Sequence, residues 1–306
     1  MKLQKTQNTT RKISRTALSV YVLAFLGFIV LLVITEGEHI KERQAREEQE
    51  KEERLAKQKA EIRAFAEKYP IEGNLGGQPV AMPALAIRDL QYDDSPTPFS
   101  KDRKNYKPKA HGFERPIMAF DFNMNYKTGV LYESWGDISL RQFLDEKAQP
   151  ASPWVFVGVS SGREAPKISM NKIYFSLYAN YKNIYKTVPY YDTGEKLYGL
   201  NVYRMDEAIY QKLQGKAKYP DDKDPRYTYT DTNGTIYTMI ECSIRDVRNP
   251  PCEHTFRLYG DMNVEVDLLY SRQHLENWRL IEQMAEEKIR SWVVQPEKVL
   301  QLGSKP

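Results

Sequence analysis

The feature that most constrains this chain is an uncharged apolar run near its N-terminus, residues 17–34 (ALSVYVLAFLGFIVLLVI). A helix crosses the apolar core of a bilayer when it contains about 17 to 25 such residues. A cleaved signal peptide is the alternative, but its apolar segment is usually shorter. The TEGEHIKE that follows the run also has no cleavage site of the small-residue type. The run therefore predicts an uncleaved transmembrane anchor.

Charges on the two sides of this run predict its orientation. Residues 1–16 carry five cations and no Asp or Glu, whereas Glu36, Glu38 and Glu42 follow the run. Because positively charged flanks stay in the cytoplasm, residues 1–16 are predicted to be a cytoplasmic tail. The chain from about residue 35 onward then lies outside, which in a bacterium is the periplasm. The expected location is the bacterial inner membrane, crossed once.

Residues 35–69 are rich in Glu, Lys, Arg, Gln and Ala and predict a charged helical spacer. Oppositely charged side chains recur at a spacing of four residues, which stabilises a solvated helix. These pairs are Glu47–Lys51, Glu50–Arg54 and Glu53–Lys57. No heptad stripe is sustained, although a coiled coil stays open as an alternative. A helix of this length spans roughly 50 Å and would lift the following domain off the membrane.

Proline and glycine then interrupt the helical pattern, beginning at Pro70. Residues 70–116 are predicted to be linker and surface loops. Beyond Ile117 the pattern changes to short aromatic and β-branched runs such as IMAFDFNMNY, WVFVGV and LYGLNVYRM, which predict strands. The expected fold class is α+β, with a β-rich antiparallel periplasmic domain at 117–295 and a tail at 296–306. This domain has one lobe or two, with a break near 200–226 in the second case.

The C-terminal third has the clearest pattern. RYTYT and TIYTMIEC flank DTNG, a hairpin signal, and CEHTFRLY and NVEVDLLY follow as two further predicted strands. Ser271 is a candidate N-cap for a helix with apolar residues along one side. These residues are Leu275, Trp278, Ile281, Ala285, Ile289 and Trp292. The sequence predicts a four-strand antiparallel meander closed by this amphipathic helix.

Cys242 and Cys252 are the two cysteines of the chain and bracket SIRDVRNPP. An even number of cysteines in an oxidising compartment predicts a disulfide. Two free thiols or half of a metal site are the alternatives, but the sequence has no CxxC motif and no clustered His and Cys. A disulfide that closes so short a loop contributes about 3 kcal/mol to the free energy of unfolding.

A Gly-x-Ser-x-Gly motif occurs at residues 158–162 around Ser160, directly after an apolar run. In serine hydrolases this motif joins a strand to a helix and exposes the nucleophile, so Ser160 is the one candidate catalytic residue. Here Pro166 and a β-type aromatic run stand where that helix would begin. His254 and His274 follow in the right order, but each has a structural interpretation. The hydrolase is therefore the remote alternative, and the chain is expected not to be an enzyme.

Composition and motifs exclude several other classes of function. The formal net charge is +4, with Lys and Arg interspersed among Asp and Glu, so no basic face for nucleic acid is expected. Glu133 and Asp137 are near enough in sequence to pair, but no partner completes a glycosidase-type site. The sequence has no phosphate-binding loop, zinc motif or haem motif. No cofactor and no metal are therefore expected.

Four segments carry a resemblance to a known family. They are NKIYFSLYANYKNIYK, VPYYDTGEKLYGLNVY, IECSIRDVRNPPCEHTF and VEVDLLYSRQHLENWRLIE, within residues 172–292. This part resembles the immunity proteins that Gram-negative bacteria encode beside type VI secretion lipase effectors. The resemblance implies a tethered periplasmic protein that binds and neutralises a secreted phospholipase-type effector, and it assigns no interface residue. A structural or sensory cell-envelope protein is the alternative function.

Alkaline phosphatase fused after Lys68 tests the predicted topology. Because this reporter needs an oxidising compartment to form its disulfides, we expect the fusion to be active. A fusion after residue 16 is the control and is expected to be inactive. An inactive fusion after Lys68, or a mature N-terminus beyond residue 34, would contradict the anchor.

Overall fold

The chain divides into two compact units, residues 1–61 and 62–306. Helix α1 (Arg15–Lys68) is the described element of the first unit and continues into the second. Side chains are described from residue 41 onward. The computed structural model describes residues 15–96, 101, 104, 106–107, 112–162, 170–171, 190–213, 223–258 and 260–295.

The predicted anchor, residues 17–34, falls on α1, and its side chains lie outside the described part of the chain. Across the described residues, no helix combines the length and the apolarity that crossing a membrane requires. From residue 41 to the end of α1 most side chains are exposed. Arg46 and Glu42, for example, form an ion pair four residues apart. This charged stretch is helical without a packed apolar face, as a solvated helix with many such pairs can be.

The second unit is built on one sheet, which has eleven strands in the described residues. The strands are β1 (Ile71–Leu75), β2 (Gln78–Met82), β3 (Arg88–Tyr92), β4 (Pro116–Asn125), β5 (Trp154–Ser161), β6 (Tyr190–Leu197), β7 (Leu200–Met205), β8 (Arg226–Thr230), β9 (Ile236–Cys242), β10 (Pro251–Leu258) and β11 (Val264–Ser271). The helices that follow α1 are α2 (Leu140–Lys147), α3 (Glu207–Leu213) and α4 (Trp278–Arg290).

The order of the strands in the sheet is β2-β1-β4-β5-β11-β10-β9-β8-β7-β6, and β3 also pairs with β4. Neighbouring strands are antiparallel except β1 and β4, which are parallel. The predicted meander appears as β8-β9-β10-β11, and α4 is the helix that follows it. The α+β class, the antiparallel-rich sheet and the C-terminal helix are confirmed.

The expectation of linker and surface loops over residues 70–116 is wrong at β1, β2 and β3, which lie within this range. Gly76 and Gly77 were among the residues predicted to interrupt the helix. They form the tight turn between β1 and β2, with φ angles of 59° and 108°. Glycine adopts these angles without steric cost. The hairpin buries three apolar side chains in the main core. They are Leu75, Val80 and Met82.

The sheet is continuous through the region where a break between two lobes was the alternative. Strands β7 and β8 are paired, with Asn201 opposite Thr228. One hydrophobic core contains Leu75 of β1 and Leu200 of β7. Because neighbouring strands share this core, the described β-rich region forms one lobe.

Helix α4 packs its apolar side across the sheet. The predicted stripe is confirmed, since Trp278, Ile281, Ala285 and Ile289 are all buried in the main core. The ring of Trp292, just after the helix, lies 5.1 Å from that of Phe122. Ser271, the candidate N-cap, makes no capping hydrogen bond with its side chain. It precedes a 3₁₀ turn (Arg272–Asn277) that separates it from α4.

Two neighbouring substitutions test the packing of α4. Ile281→Ala removes a fully buried side chain, so we expect the free energy of unfolding to fall by about 2–5 kcal/mol. Leu280→Ala removes an exposed side chain and should change it by less than about 0.5 kcal/mol. Urea unfolding of the purified chain measures both values. Equal losses in the two variants would contradict the described orientation of the helix.

Candidate functional site

Ser160 lies inside the sheet, one residue before the end of β5. It belongs to β5, opposite Ala119 of β4 and Glu265 of β11. Residues 163–169, where the helix of a hydrolase elbow would begin, lie outside the described residues. The described hydrogen bonds of both candidate histidines go to other groups. The described residues therefore bring together no nucleophile and base around Ser160.

His254 forms part of a buried polar network under α4. Its Nε2 donates to Glu282 Oε2 at 3.0 Å, and the Tyr270 hydroxyl lies 3.2 Å from its Nδ1. Thr238 Oγ1 donates to the same carboxylate oxygen at 2.7 Å. Burial raises the pKa of Tyr270 far above its usual value, so this phenol stays protonated. The network bonds α4 to β9, β10 and β11 and is structural.

The other polar side chains considered from the sequence also have structural partners. His274 Nε2 donates to the Ser152 carbonyl at 3.1 Å. Asp137 and Glu133 both face Arg63, at 2.9 and 3.9 Å. Among the described residues, no group of three His, Cys, Asp or Glu side chains is placed to hold a metal ion. These residues stabilise the fold and provide no assembled catalytic chemistry.

A cleft of about 360 Å³ opens where β5 ends. Its walls include the β1–β2 turn, the start of β4 and Asn263 before β11. The motif contributes Gly162 and Ser161 to this cleft, and the Ser161 hydroxyl donates to the Ile117 carbonyl. Nothing at the cleft indicates the chemistry of a ligand.

At the opposite end of β11, the disulfide closes a loop that we call the disulfide loop, residues 243–251. Cys242 of β9 and Cys252 of β10 face each other in the ladder and are bonded. The loop exposes two apolar side chains, Ile244 at 48 % and Val247 at 52 %. Arg245, Asp246 and Arg248 beside them are exposed as well. The loop thus presents a mixed apolar and charged surface.

Hydrogen bonds hold the backbone of the disulfide loop at both ends. The Asp224 carboxylate accepts from the Ile244 N–H at 2.7 Å. Arg272 Nη1 donates to the Ser243 carbonyl at 2.5 Å, and the Arg272 N–H donates to the Pro250 carbonyl at 2.7 Å. Together with the disulfide, these bonds leave the loop little conformational freedom.

The loop is also bonded to the C-terminal end of α2. Asn249 Nδ2 donates to the carbonyls of Ala148 and Gln149, at 3.3 and 2.9 Å. Arg248 Nη2 donates to Gln149 Oε1 at 3.2 Å. The loop and α2 therefore form one surface.

Helix α2 is itself fixed to the sheet. Its Phe143 is buried between Tyr132 and Trp154, and Glu146 accepts from the Trp154 indole at 2.9 Å. This bond lowers the pKa of the Glu146 carboxyl. Lys147 Nζ donates to Asn123 Oδ1 at 3.0 Å. The support of the disulfide loop is rigid.

Exposed apolar side chains on a backbone held in place suit protein binding, because little backbone entropy is lost on association. The sequence predicted the disulfide but not that Ile244 and Val247 lie on this surface. A signal was present in SIRDVRNPP, where two apolar residues alternate with charges inside a loop too short to bury them. The disulfide loop is the candidate functional site.

No protein-family model matches the chain, and no curated protein matches it. A solved structure described as an immunity protein of the Stenotrophomonas maltophilia type IV secretion system is similar to it. The TM-score is 0.49 and the sequence identity 14 %, over 74 % of this chain and 94 % of that chain. The matched protein is thus an immunity protein, as in the sequence resemblance, but of another type of secretion system.

Removal of the disulfide tests whether Cys242 and Cys252 are paired and how much the bond stabilises the fold. In the double variant Cys242→Ser, Cys252→Ser, we expect the free energy of unfolding to fall by about 3 kcal/mol, because the unfolded chain regains the freedom of the open loop. Dithiothreitol should lower the unfolding temperature of the natural chain and leave that of the double variant unchanged. Free thiols in the folded, oxidised protein would contradict the pairing.

Proposed function

We propose that this chain is an immunity protein that binds and neutralises a secreted antibacterial effector. The observation that carries the proposal is the disulfide loop, with Ile244 and Val247 exposed on a backbone held by covalent and hydrogen bonds. An inhibitor gains affinity when its contact surface is already in the bound conformation. A binding function also agrees with the structural bonds that His254 and His274 make within the described part of the chain.

The finer proposal concerns location and partner. Residues 17–34 anchor the chain in the bacterial inner membrane, with residues 1–16 in the cytoplasm and the β-rich domain in the periplasm. The charge asymmetry around the run supports this orientation, and a disulfide is stable in an oxidising compartment. The partner is a phospholipase-type effector of the type VI secretion class. The resemblance within residues 172–292 supports that partner.

A structural or sensory cell-envelope protein is the second candidate. It would share the anchor and the outward domain, and the disulfide loop would contact a permanent assembly partner. A membrane-tethered hydrolase that uses Ser160 has less support, because Ser160 is paired with a strand on each side and the described residues bring no base to it. The two main candidates predict different phenotypes. Cells need an immunity protein only when an attacker delivers the effector, whereas they need a structural or sensory protein without an attack as well.

Deletion of the gene tests the proposal. When sibling cells that carry the secretion system attack, we expect the deletion strain to lyse and the full chain to restore survival. Ser160→Ala should restore survival equally well, because the serine has no chemical role in binding. Survival is counted as colony-forming units after contact.

Attackers that lack the secretion apparatus are the control and should kill neither strain. Survival of the deletion strain under an active effector would refute the immunity function. Loss of protection in Ser160→Ala alone, with the protein folded and present at normal levels, would restore the hydrolase alternative.

A further inference from the structure

Trp135 is an exposed aromatic residue in an unfavourable backbone conformation. Its φ angle is 68°, a left-handed value that is costly for a bulky side chain. The side chain is nevertheless 46 % exposed, so burial does not compensate for the strain. Backbone strain of this kind persists where the surrounding structure enforces it, and it is concentrated at functional sites.

The turn that carries Trp135 is held in place from several sides. The Gly136 N–H donates to the Glu133 carbonyl at 3.0 Å, and the Ser134 N–H donates to the Leu85 carbonyl at 2.8 Å. A Cβ atom at Gly136 would come within 2.9 Å of the Glu133 carbonyl oxygen, so the turn requires glycine there. Arg63 contacts the carboxylates on both flanks of the turn. The fold therefore keeps the indole at the surface.

Two further exposed apolar side chains follow Trp135 in the sequence, on α2. Leu140 is 60 % and Leu144 52 % exposed, and their spacing of four residues places them on one side of the helix. The end of α2 is bonded to the loop that exposes Ile244 and Val247. We call these five residues the Trp135 face.

Charged residues of both signs are interleaved with the apolar residues of this face. On α2, Arg141 forms an exposed ion pair with Asp145 at 4.0 Å. On the loop, Arg245, Asp246 and Arg248 are exposed. Tryptophan and arginine are enriched among the residues that dominate binding energy at protein interfaces. The complementary surface is an apolar cleft bordered by charged groups of both signs.

We propose that the Trp135 face is the surface that docks the effector, with Trp135 as its anchor. This inference rests on the proposed immunity function and adds the location of the contact and the chemistry of the partner. The partner contributes an apolar cleft with charged residues of both signs at its edge. The strained turn is retained because it presents the indole to that cleft.

Trp135→Gly separates binding from folding. Glycine is relaxed at this φ angle, so we expect the unfolding temperature of the full chain in detergent to stay the same or rise. Loss of the anchor should weaken binding roughly 30-fold, as for an interface hot spot, and lower the survival of attacked cells. Leu140→Ser combined with Leu144→Ser should also lower survival.

Tyr198→Gly is the matched control. Tyr198 is also exposed and has a φ angle of 51°, but it lies in the turn between β6 and β7, outside the Trp135 face. This variant should relieve similar strain and protect as well as the natural chain. If Trp135→Gly lowers both the unfolding temperature and survival, the residue is structural and the proposal is wrong.

Photo-crosslinking in attacked cells identifies the occupant directly. With p-benzoylphenylalanine at position 135 in the full chain, we expect an adduct with the effector that appears only when the attacker secretes it. The same probe at position 280, on α4, should give none. An adduct of twice the mass of this chain, or with lipid, would assign the face to a second copy or to the membrane and overturn the proposal.

The two hypotheses fail in different ways. If the deletion strain survives attack, the immunity function is wrong, whatever the variants do. If the natural chain protects and the Trp135 and Leu140/Leu144 variants protect equally well, with no effector adduct at position 135, the immunity function stands. The docking surface then lies elsewhere on the domain.

Discussion

Helix α4 is bonded to the sheet at both ends and in its middle, and the arrangement of the domain depends on this packing. At its start the Trp278 indole donates to the Tyr198 carbonyl at 3.0 Å. In its middle Glu282 binds His254 of β10. Beyond its end the Trp292 carbonyl accepts from the Ala81 N–H of β2 at 2.9 Å. One helix thus connects strands from nearly the whole width of the sheet, and its apolar side supplies much of the core.

This packing also positions the binding surface. The core side of β10 holds His254 against Trp278 and Glu282 of α4 and buries Phe256 in the main core. Because one face of β10 is buried, its register with β9 is fixed. That register places the two cysteines opposite each other, and the disulfide loop begins where the ladder ends. Helix α2 and the Trp135 turn then extend the surface from the loop. A short series of covalent and hydrogen bonds therefore connects the rigid core to the exposed face.

The elements that could be predicted from the sequence are those with a regular pattern. The alternation in NVEVDLLY and the stripe from Leu275 to Trp292 identified β11 and α4, because burial of one face repeats with the period of the element. The strands β1 and β2 could not be found in this way, since each has five residues and their turn is rich in glycine. Trp135, Leu140 and Leu144 were missed because the exposure of an apolar residue depends on which neighbours fold over it, and no local pattern at these three positions encodes that. At Ser160 a local motif matched, but the described residues bring no base to the serine.

The hairpin of β1 and β2 has a consequence for the order in which the chain folds. Val80 of β2 pairs with Val293, near the end of the described chain, and the Val294 N–H donates to the Pro79 carbonyl. A contact between residues so distant in sequence forms late, because the entropy of closing the intervening loop is lost before the contact forms. The first strands to leave the ribosome are thus among the last to be completed. Until residue 293 is available, the apolar side of β2 has no final partner there and needs protection from aggregation.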